Sequence, residues 1–241
     1  NNLTLPDKFL NLLKEFMTPD VAVGVQDGLI DILQNTAVNE GFQSQVYRDR
    51  NTISVGYGFN VRYLTEKDYK NINPEMRKPL KELQKKLNKK KYSEDELNAM
   101  VNEFKFGKPI LFKKDEAAKI FRSKMMDIYA QYEKEFPNFN ELHPLRRSAL
   151  IDFSYQFGHE RLKKEFPKYY EAVKKAINTS DIDQRNFHFR EAGFHQVYNE
   201  GEFGNTKTPL FYQTKRRVRK RVGDLGFDIK DDVDFIDREF D

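Results

Sequence analysis

The segment from Pro144 to Gly158 constrains the fold more than any other part of this 241-residue chain. Its apolar side chains fall on nearly every face of a helix: Leu145, Ala149, Leu150, Ile151, Phe153, Tyr155 and Phe157. A helix that is apolar almost all round is typical of the centre of a domain, because each face needs a covering layer. Gly158 is a natural stop for such a helix. The chain must therefore wrap its other elements around one buried helix.

The composition supports a folded domain without thiol chemistry. The 21 Phe and 12 Tyr residues provide core material although 33% of all residues are charged. The chain contains no cysteine, which excludes disulfides and thiolate catalysis. No apolar run reaches the roughly 18 residues of a membrane span, so we expect none. The four histidines have no ligand partners at metal spacing, so we expect no metal site and no cofactor.

Helical spacing recurs on both sides of the central segment. Ser93 and Glu96 have the spacing of a capping box, which predicts a helix start. Asp115 opens a longer apolar stripe that ends before Pro137. Residues 193–211 contain glycine-rich turns without a period, which predicts a loop. Further helices are predicted over residues 1–39, in two parts, and over residues 166–177, 181–192 and 214–222.

The pattern changes to that of a β-hairpin between residues 42 and 60. The β-prone residues Val46, Tyr47, Ile53 and Val55 flank the polar pair at positions 50 and 51. A single hairpin among many helices predicts an α+β fold that is mostly helical.

The hairpin segment carries two carboxylates in unlike surroundings. Glu40 ends a predicted helix before Gly41, and Asp49 follows nine residues later beside the hairpin turn. Ser54 then precedes a Gly-x-Gly pair. The exposed carbonyls of a helix end favour a protonated Glu40, whereas a polar turn keeps Asp49 ionised. Two such carboxylates are the minimum equipment for acid/base cleavage of a glycosidic bond.

Charge is unevenly distributed along the chain. Residues 60–92 are strongly basic, which indicates a solvated helical face or a long loop, or else attraction to an anionic surface. Residues 215–221 hold six basic residues in seven positions, and the last fourteen residues hold seven acidic groups. We expect no nucleic-acid binding at 215–221, because the run lacks interleaved aromatic residues. We expect the acidic tail to fold back on this run and mask it.

Four motifs, in order, resemble those of phage-type lysozymes, the endolysin family. The similarity covers about residues 28–225, and its specificity comes from the order of the motifs. The matching stretches are Glu40-Gly41 with Tyr47-Arg48-Asp49 and Ser54-Val55-Gly56-Tyr57-Gly58, then Lys114-Asp115-Glu116-Ala117, then Leu145 to Gly158, then Tyr212-Gln213-Thr214 with the basic run after it.

The resemblance implies a lysozyme-like fold of two lobes, with a small β-hairpin lobe and a larger helical lobe around the central helix. It implies a helical N-terminal extension, a catalytic domain and an acidic tail, at residues 1–27, 28–227 and 228–241. Within the catalytic domain the hairpin lobe, an insertion and the helical lobe fall at about residues 42–60, 62–92 and 93–227.

The resemblance also implies a role for each matching site residue. Glu40 takes the position of the general acid, and Asp49 that of the second carboxylate, which assists attack by water. Ser54 stands where the family usually has Thr. The spacing from Asp49 is one residue shorter than usual, so Thr52, on the same strand face, competes with Ser54 for this role. The residues expected to contact the sugar are Tyr155, Gln156 and Asn60.

The implied reaction is hydrolysis of the β-1,4 bond between N-acetylmuramic acid and N-acetylglucosamine. The implied partner is bacterial peptidoglycan, together with other virion proteins if the enzyme is carried by the virion. The protein would be a phage product that acts on the host cell wall, either from the host cytoplasm or from the virion.

Departures from the family pattern keep two alternatives open. Phe59 replaces a common His, and the chain has no Trp. These departures, the insertions and the extension also fit a virion structural protein that binds saccharide on a lysozyme scaffold without cleaving it. A lytic transglycosylase is a third option, but it does not need a second carboxylate, so Asp49 favours hydrolysis.

Overall fold

The computed structural model describes residues 41–201, 204–207 and 214–227. These residues form two compact units, one of residues 41–126 and one that begins at residue 127. The predictions for Glu40, for the N-terminal helices and for the acidic tail lie outside the described residues.

The first unit is an antiparallel sheet with three further helices and the start of a fourth. The sheet has the strand order β1-β2-β3. Its elements are β1 (Gln43–Asp49), β2 (Thr52–Gly56), β3 (Phe59–Asn60), a 3-10 turn (Val61–Tyr63), α1 (Glu66–Tyr69), α2 (Pro74–Leu87), α3 (Glu94–Lys105) and the first part of α4 (Lys114–Glu135).

The predicted hairpin is confirmed, and its turn is tight. Asp49 pairs with Thr52, so only Arg50 and Asn51 connect β1 to β2. Arg50 has a φ of 54° and is the one non-glycine in the left-handed region among the described residues. A lone positive φ at the first turn position is typical of a type II′ turn, where glycine is preferred. The catalytic candidate Asp49 thus borders a strained backbone position.

The basic segment after the hairpin is a helix with one buried face. Asn73 caps the N-terminus of α2, and Pro74 occupies its first turn. Its inward side chains are Met76, Leu80, Leu83 and Leu87. The lysines of this segment point away from that face, which agrees with the prediction of a solvated helical face.

Helix α3 begins at the predicted capping box of Ser93 and Glu96. Arg48 ties it to β1, because its guanidinium contacts Glu94 at 3.1 Å and Asn98 at 3.1 Å. The sequence assigns residue 93 onwards to the helical lobe, whereas α3 lies in the first unit. Helical periodicity shows which face is buried but not against which sheet it packs.

In its described residues the second unit is helical apart from one small hairpin. It contains the rest of α4, a 3-10 turn (Phe139–Glu141), α5 (Pro144–Phe157), α6 (His159–Glu165), α7 (Pro167–Asn178), α8 (Ile182–Val197), β4 (Tyr198–Gly201), β5 (Gly204–Lys207) and α9 (Lys215–Asp224). These elements and the sheet of the first unit confirm the predicted class, α+β and mostly helical.

The predicted central helix is α5. Buried residues run without a break from Arg147 to Ser154, more than two turns, so every face of this stretch is covered. Phe153 packs its ring edge-on against Phe166 and Tyr169, at centroid distances of 5.1 and 4.8 Å. Such edge-to-face aromatic contacts stabilise a core beyond the area they bury.

The prediction of a loop over residues 193–211 is wrong in its first half. Helix α8 continues to Val197, and β4 and β5 then pair as a hairpin. Gly193 lies within α8, where an added Cβ would stand 2.5 Å from the Cβ of Phe227. This glycine permits close packing, whereas the sequence pattern suggested a turn.

Helix α9 is confirmed and ends in a Schellman motif. Gly226 has a φ of +93°, and the N–H of Phe227 donates to the carbonyl of Val222 at 3.0 Å. Phe227 is buried. Throughout the described part of the chain, no helix combines the length and the apolar character that crossing a membrane requires.

Candidate active site

The predicted site residues fall into three groups. Asp49, Ser54 and Asn60 lie on the sheet of the first unit, and Tyr155 and Gln156 lie on α5 of the second. Glu40 precedes the described residues. Its neighbour Gly41 has a φ of +66°, a conformation that favours glycine.

The carboxylate of Asp49 is held by one buried hydroxyl. The Oγ of Ser54 donates to Oδ2 of Asp49 at 3.0 Å. Ser54 is 0% exposed, whereas Asp49 is partly exposed. Asp49 lies opposite Thr52, so it reaches Ser54 as a diagonal cross-strand neighbour. Within residues 41–126 nothing else hydrogen-bonds to the carboxylate, so its Oδ1 has no partner in that described stretch.

The competing hydroxyl, Thr52, has a different partner. Its Oγ1 donates to Oδ1 of Asn60 at 2.9 Å and accepts from Nε of Arg62 at 3.3 Å. The same Asn60 oxygen caps the 3-10 turn by accepting the backbone N–H of Arg62 at 3.0 Å. Of the two hydroxyls, Ser54 is therefore the one in contact with Asp49. Asn60 uses its oxygen locally and keeps its amide N–H groups for other acceptors.

Arg62 is a residue of this sheet edge that the sequence did not single out. Its guanidinium donates to the carbonyl of Leu87 at the end of α2 and also binds Thr52. A cation at a helix C-terminus is favourable because it faces unpaired carbonyls. Its partner Leu87 is 25 positions away, so no local sequence signal reveals the contact.

No cation neutralises Asp49 among the described residues. The adjacent Arg48 points to the opposite face of β1, as strand alternation requires, and pairs with Glu94. Directly after β2, Tyr57 contacts Phe42 and Phe121 at ring centroid distances of 5.5 and 5.6 Å. Burial, assisted by Asp115, raises the pKa of Tyr57 well above its usual value, so the phenol stays neutral. Among the described residues, Ser54 is therefore the one side chain that hydrogen-bonds to Asp49.

A second carboxylate, on α5, lies in a contrasting environment. Asp152 is 3% exposed and accepts hydrogen bonds from Arg217 at 2.9 and 3.1 Å and from Arg221 at 2.8 Å. Arg221 also donates to the side-chain oxygens of Gln196 and Gln156 at 2.6 and 2.8 Å. This network fastens α9 to the central helix. The sequence signal for it was an Asp within the apolar stretch from Ala149 to Phe153, where a charge requires a buried partner.

The network changes the interpretation of the basic run at 215–221. Arg221 is 2% exposed and Arg217 is largely buried, so these two residues turn inward. These two arginines are therefore not available to an anionic partner at the surface. Burial lowers the pKa of Arg221 to about 10, although Asp152 acts in the opposite direction. The guanidinium stays charged at neutral pH.

The predicted sugar-contacting residues on α5 are both partly exposed. The carbonyl oxygen of Gln156 accepts from Arg221, so its amide nitrogen remains as the donor end. The network around Asp152 thus fixes the orientation of the Gln156 amide group. Contact of Tyr155 and Gln156 with a sugar stays a prediction.

A third polar cluster resembles a Ser-His-acid triad but is buried. The Oγ of Ser154 lies 2.9 Å from Nδ1 of His159 and 2.7 Å from the hydroxyl of Tyr132. Glu135 lies 3.8 Å from the other ring nitrogen. Ser154 is 0% exposed, so no substrate reaches it. This cluster is a structural hydrogen-bond network.

The described part of the chain contains no group of three His, Cys, Asp or Glu side chains placed to hold a metal ion. No protein-family model matches the chain, and no curated protein has significant sequence similarity to it. Any functional assignment therefore depends on the ordered sequence motifs and on the hairpin geometry.

Proposed function

We propose that the chain is a muramidase that hydrolyses the β-1,4 bond between N-acetylmuramic acid and N-acetylglucosamine in peptidoglycan. The observation that carries the proposal is the environment of Asp49. This carboxylate has one oxygen held by Ser54, lacks an ion-pair partner among the described residues, and lies in the segment that resembles the lysozyme active site.

The chemistry divides between two carboxyl groups. Glu40 gives its proton to the bridging oxygen as the bond to the anomeric carbon breaks. Water attacks that carbon, and its proton passes to Asp49. Because Ser54 is buried, its role is to orient Asp49, and Oδ1, which has no hydrogen-bond partner among the described residues, receives the water. Attack by water on the opposite face inverts the anomeric configuration, which needs carboxyl groups roughly 6.5–9.5 Å apart.

The amide groups of Asn60 and Gln156 are the proposed sugar contacts, together with Tyr155. Both amides have their oxygen engaged within the protein, by Arg62 and Arg221 respectively. Each therefore presents N–H donors. Donors of this kind suit the N-acetyl carbonyl oxygens that recur along peptidoglycan.

We also propose that the chain has the lysozyme-like two-lobe fold and that it is a phage product acting on the host cell wall. Free lysis enzyme and virion-borne enzyme are equally compatible with this site. Peptidoglycan is the proposed partner in either case.

Three variants test the assignment on purified peptidoglycan. Glu40→Gln and Asp49→Asn should each abolish most clearing, whereas Asp95→Asn, the same change at an exposed site on α3, should not affect it. Mass spectrometry of the products should find reducing ends. Anhydro ends would indicate a transglycosylase, and saccharide binding without any product would indicate a structural protein. Normal clearing by Glu40→Gln would refute the proposal outright.

A further inference from the structure

The C-terminal half of α2 and the turn after it carry a cluster of cations that the proposed reaction does not use. Between Arg77 and Lys91 the chain has eight basic residues and one acidic residue, Glu82. Several of the lysines are exposed and have no ion-pair partner among the described residues: Lys78, Lys85, Lys86, Lys89 and Lys91.

Part of this cluster borders a surface concavity of about 450 Å³. The concavity is lined by Glu66, Lys81, Gln84, Lys85, Asn88 and Lys89. The Nζ of Lys81 lies 3.1 Å from Glu66 and 5.0 Å from the centroid of the Tyr69 ring, so this lysine is fixed in place. Lys85 and Lys89 remain as cations that no described carboxylate neutralises.

The C-terminus of α2 can accept an anion in spite of the helix dipole, because its terminal carbonyls are hydrogen-bonded. Exposed carbonyls at a helix C-terminus normally repel anions. Here Arg62 donates to the carbonyl of Leu87, and the hydroxyl of Tyr92 donates to that of Lys86 at 2.9 Å. These carbonyls are therefore covered, and one of them is covered by a fixed guanidinium.

The spacing of the cations fits a linear ligand. Lys81, Lys85 and Lys89 follow one another at intervals of four residues, roughly 6 Å along a helix axis. The backbone of Asn88 is still helical, so the row continues past the end of α2. A chain polymer with one negative charge per short repeat can therefore meet successive lysines.

The lining selects among polyanions. It contains no aromatic side chain on which a nucleobase could stack. The amide nitrogens of Gln84 and Asn88 are engaged by the carbonyl of Arg62 at 3.2 Å in both cases. The Oδ1 of Asn88 is left to accept from a ligand hydroxyl. Charge together with hydroxyl groups is the chemistry of a polyol phosphodiester.

We infer that the row Lys81, Lys85 and Lys89 is a binding site for a linear polyol-phosphodiester polymer. The site lies apart in sequence from the carboxylates of the proposed reaction, and the inference holds whether or not the chain cleaves peptidoglycan. Its effect is to hold the protein on a surface that carries such a polymer.

Binding of the full chain to poly(glycerol phosphate) of defined length tests the inference. The double variant Lys85→Gln/Lys89→Gln should bind about thirtyfold more weakly at low salt, since each lysine contributes about fivefold. The slope of log affinity against log salt should become shallower by about 1.4. The matched control, Lys164→Gln/Lys175→Gln, removes the same charge from exposed positions in the second unit and should bind like the unmodified chain.

Each contrary outcome overturns the inference. Equal weakening by both pairs would mean that the polymer responds to net charge alone. No binding by the unmodified chain would remove the site. Displacement of poly(glycerol phosphate) by a lower concentration of a single-stranded oligonucleotide with the same number of charges would replace it with a nucleic-acid site. Thermal melting of both pairs should match the unmodified chain, because all four lysines are exposed.

Discussion

Asp49 and Asp152 carry the same side chain in opposite environments. Asp152 is buried and is held by two guanidiniums, whereas Asp49 is partly exposed and is held by a single hydroxyl. A buried charge must be fully paired, because an unpaired one costs several kcal/mol. A carboxylate that is to take a proton needs an oxygen that is free. The difference separates a carboxylate that holds the fold from one that is available for chemistry.

The largest expected effect is on Asp152. Asp152→Asn leaves two buried guanidiniums without their anion and should lower the free energy of unfolding by about 3–5 kcal/mol. Urea unfolding followed by circular dichroism measures it. Asp183→Asn, at an exposed position on α8, should change the stability by less than about 0.5 kcal/mol. Similar stability of the two variants would remove the contrast between the carboxylates.

Asp49→Asn should have the converse effect. The amide cannot accept the proton of water, so the rate of peptidoglycan hydrolysis should fall about 10²–10⁴-fold. Its stability should stay within about 0.5 kcal/mol of the unmodified chain, because the partner of Asp49 within residues 41–126 is a neutral hydroxyl. Release of reducing ends and urea unfolding give the two values. A large loss of stability with retained activity would make Asp49 a second structural carboxylate.

Ser54→Ala sharpens the comparison by removing the one hydrogen-bond partner that Asp49 has in the described part of the chain. Loss of this hydrogen bond should reduce activity roughly tenfold and stability by about 1 kcal/mol. Thr52→Val is the matched control, since Thr52 binds Asn60 and Arg62. It should reduce stability and leave the rate nearly unchanged. The reverse pattern would give Thr52 the role next to Asp49.

The pH dependence of stability tests another buried polar group, His159, which belongs to the hydrogen-bond cluster around Ser154. Burial, and then Lys163, lower the pKa of His159, while Glu135 and Glu160 oppose this. The unfolded chain, with a histidine pKa of about 6.5, then binds its proton first as the pH falls. The stability contributed by neutral His159 is complete above the pKa of the unfolded chain. It declines as the pH falls from that value to the pKa of the folded state. Urea unfolding of His159→Gln should lack this decline; an unchanged profile would exclude His159 as its source.

The smallest expected effect concerns the turn that carries Asp49. A non-glycine residue in the left-handed region costs roughly 1–2 kcal/mol, and glycine loses about 0.5–1 kcal/mol to chain entropy. Arg50→Gly should therefore stabilise the chain by about 0.5–1 kcal/mol. Thermal melting measures the gain, and Asn51→Gly serves as the control. A destabilised Arg50→Gly would show that the Arg50 side chain contributes more than its backbone costs.

Most of the fold could be predicted from local signals in the sequence. The capping box at Ser93 and Glu96, the glycine after α5 and the turn at Arg50 depend on interactions within a few residues. The contact between Asp49 and Ser54 was likewise within reach of strand alternation. Such features are written in short stretches of sequence, which is why periodicity and spacing predicted them.

Features that depend on distant contacts were missed. Gly193 looked like a turn residue because its reason, the approach of Phe227, is 34 positions away. The pairing of Asp152 with Arg217 spans 65 positions. A count of charges also treated the two basic segments alike. Burial separates them, because arginine spreads its charge over several donors and suits buried pairs, whereas lysine is strongly hydrated and stays exposed.

The close approach at Gly193 has a consequence for how the second unit opens. Phe227 closes the Schellman motif of α9 and packs directly on the backbone of α8 at Gly193. The end of α9 therefore cannot fray unless Phe227 loses its contact with α8. The amide of Phe227 should therefore exchange its hydrogen at nearly the same rate as the interior of α8, although it lies past a helix end. A methyl group at position 193, as in Gly193→Ala, would separate α8 from the end of α9. The Phe227 amide should then exchange before the interior amides of α8.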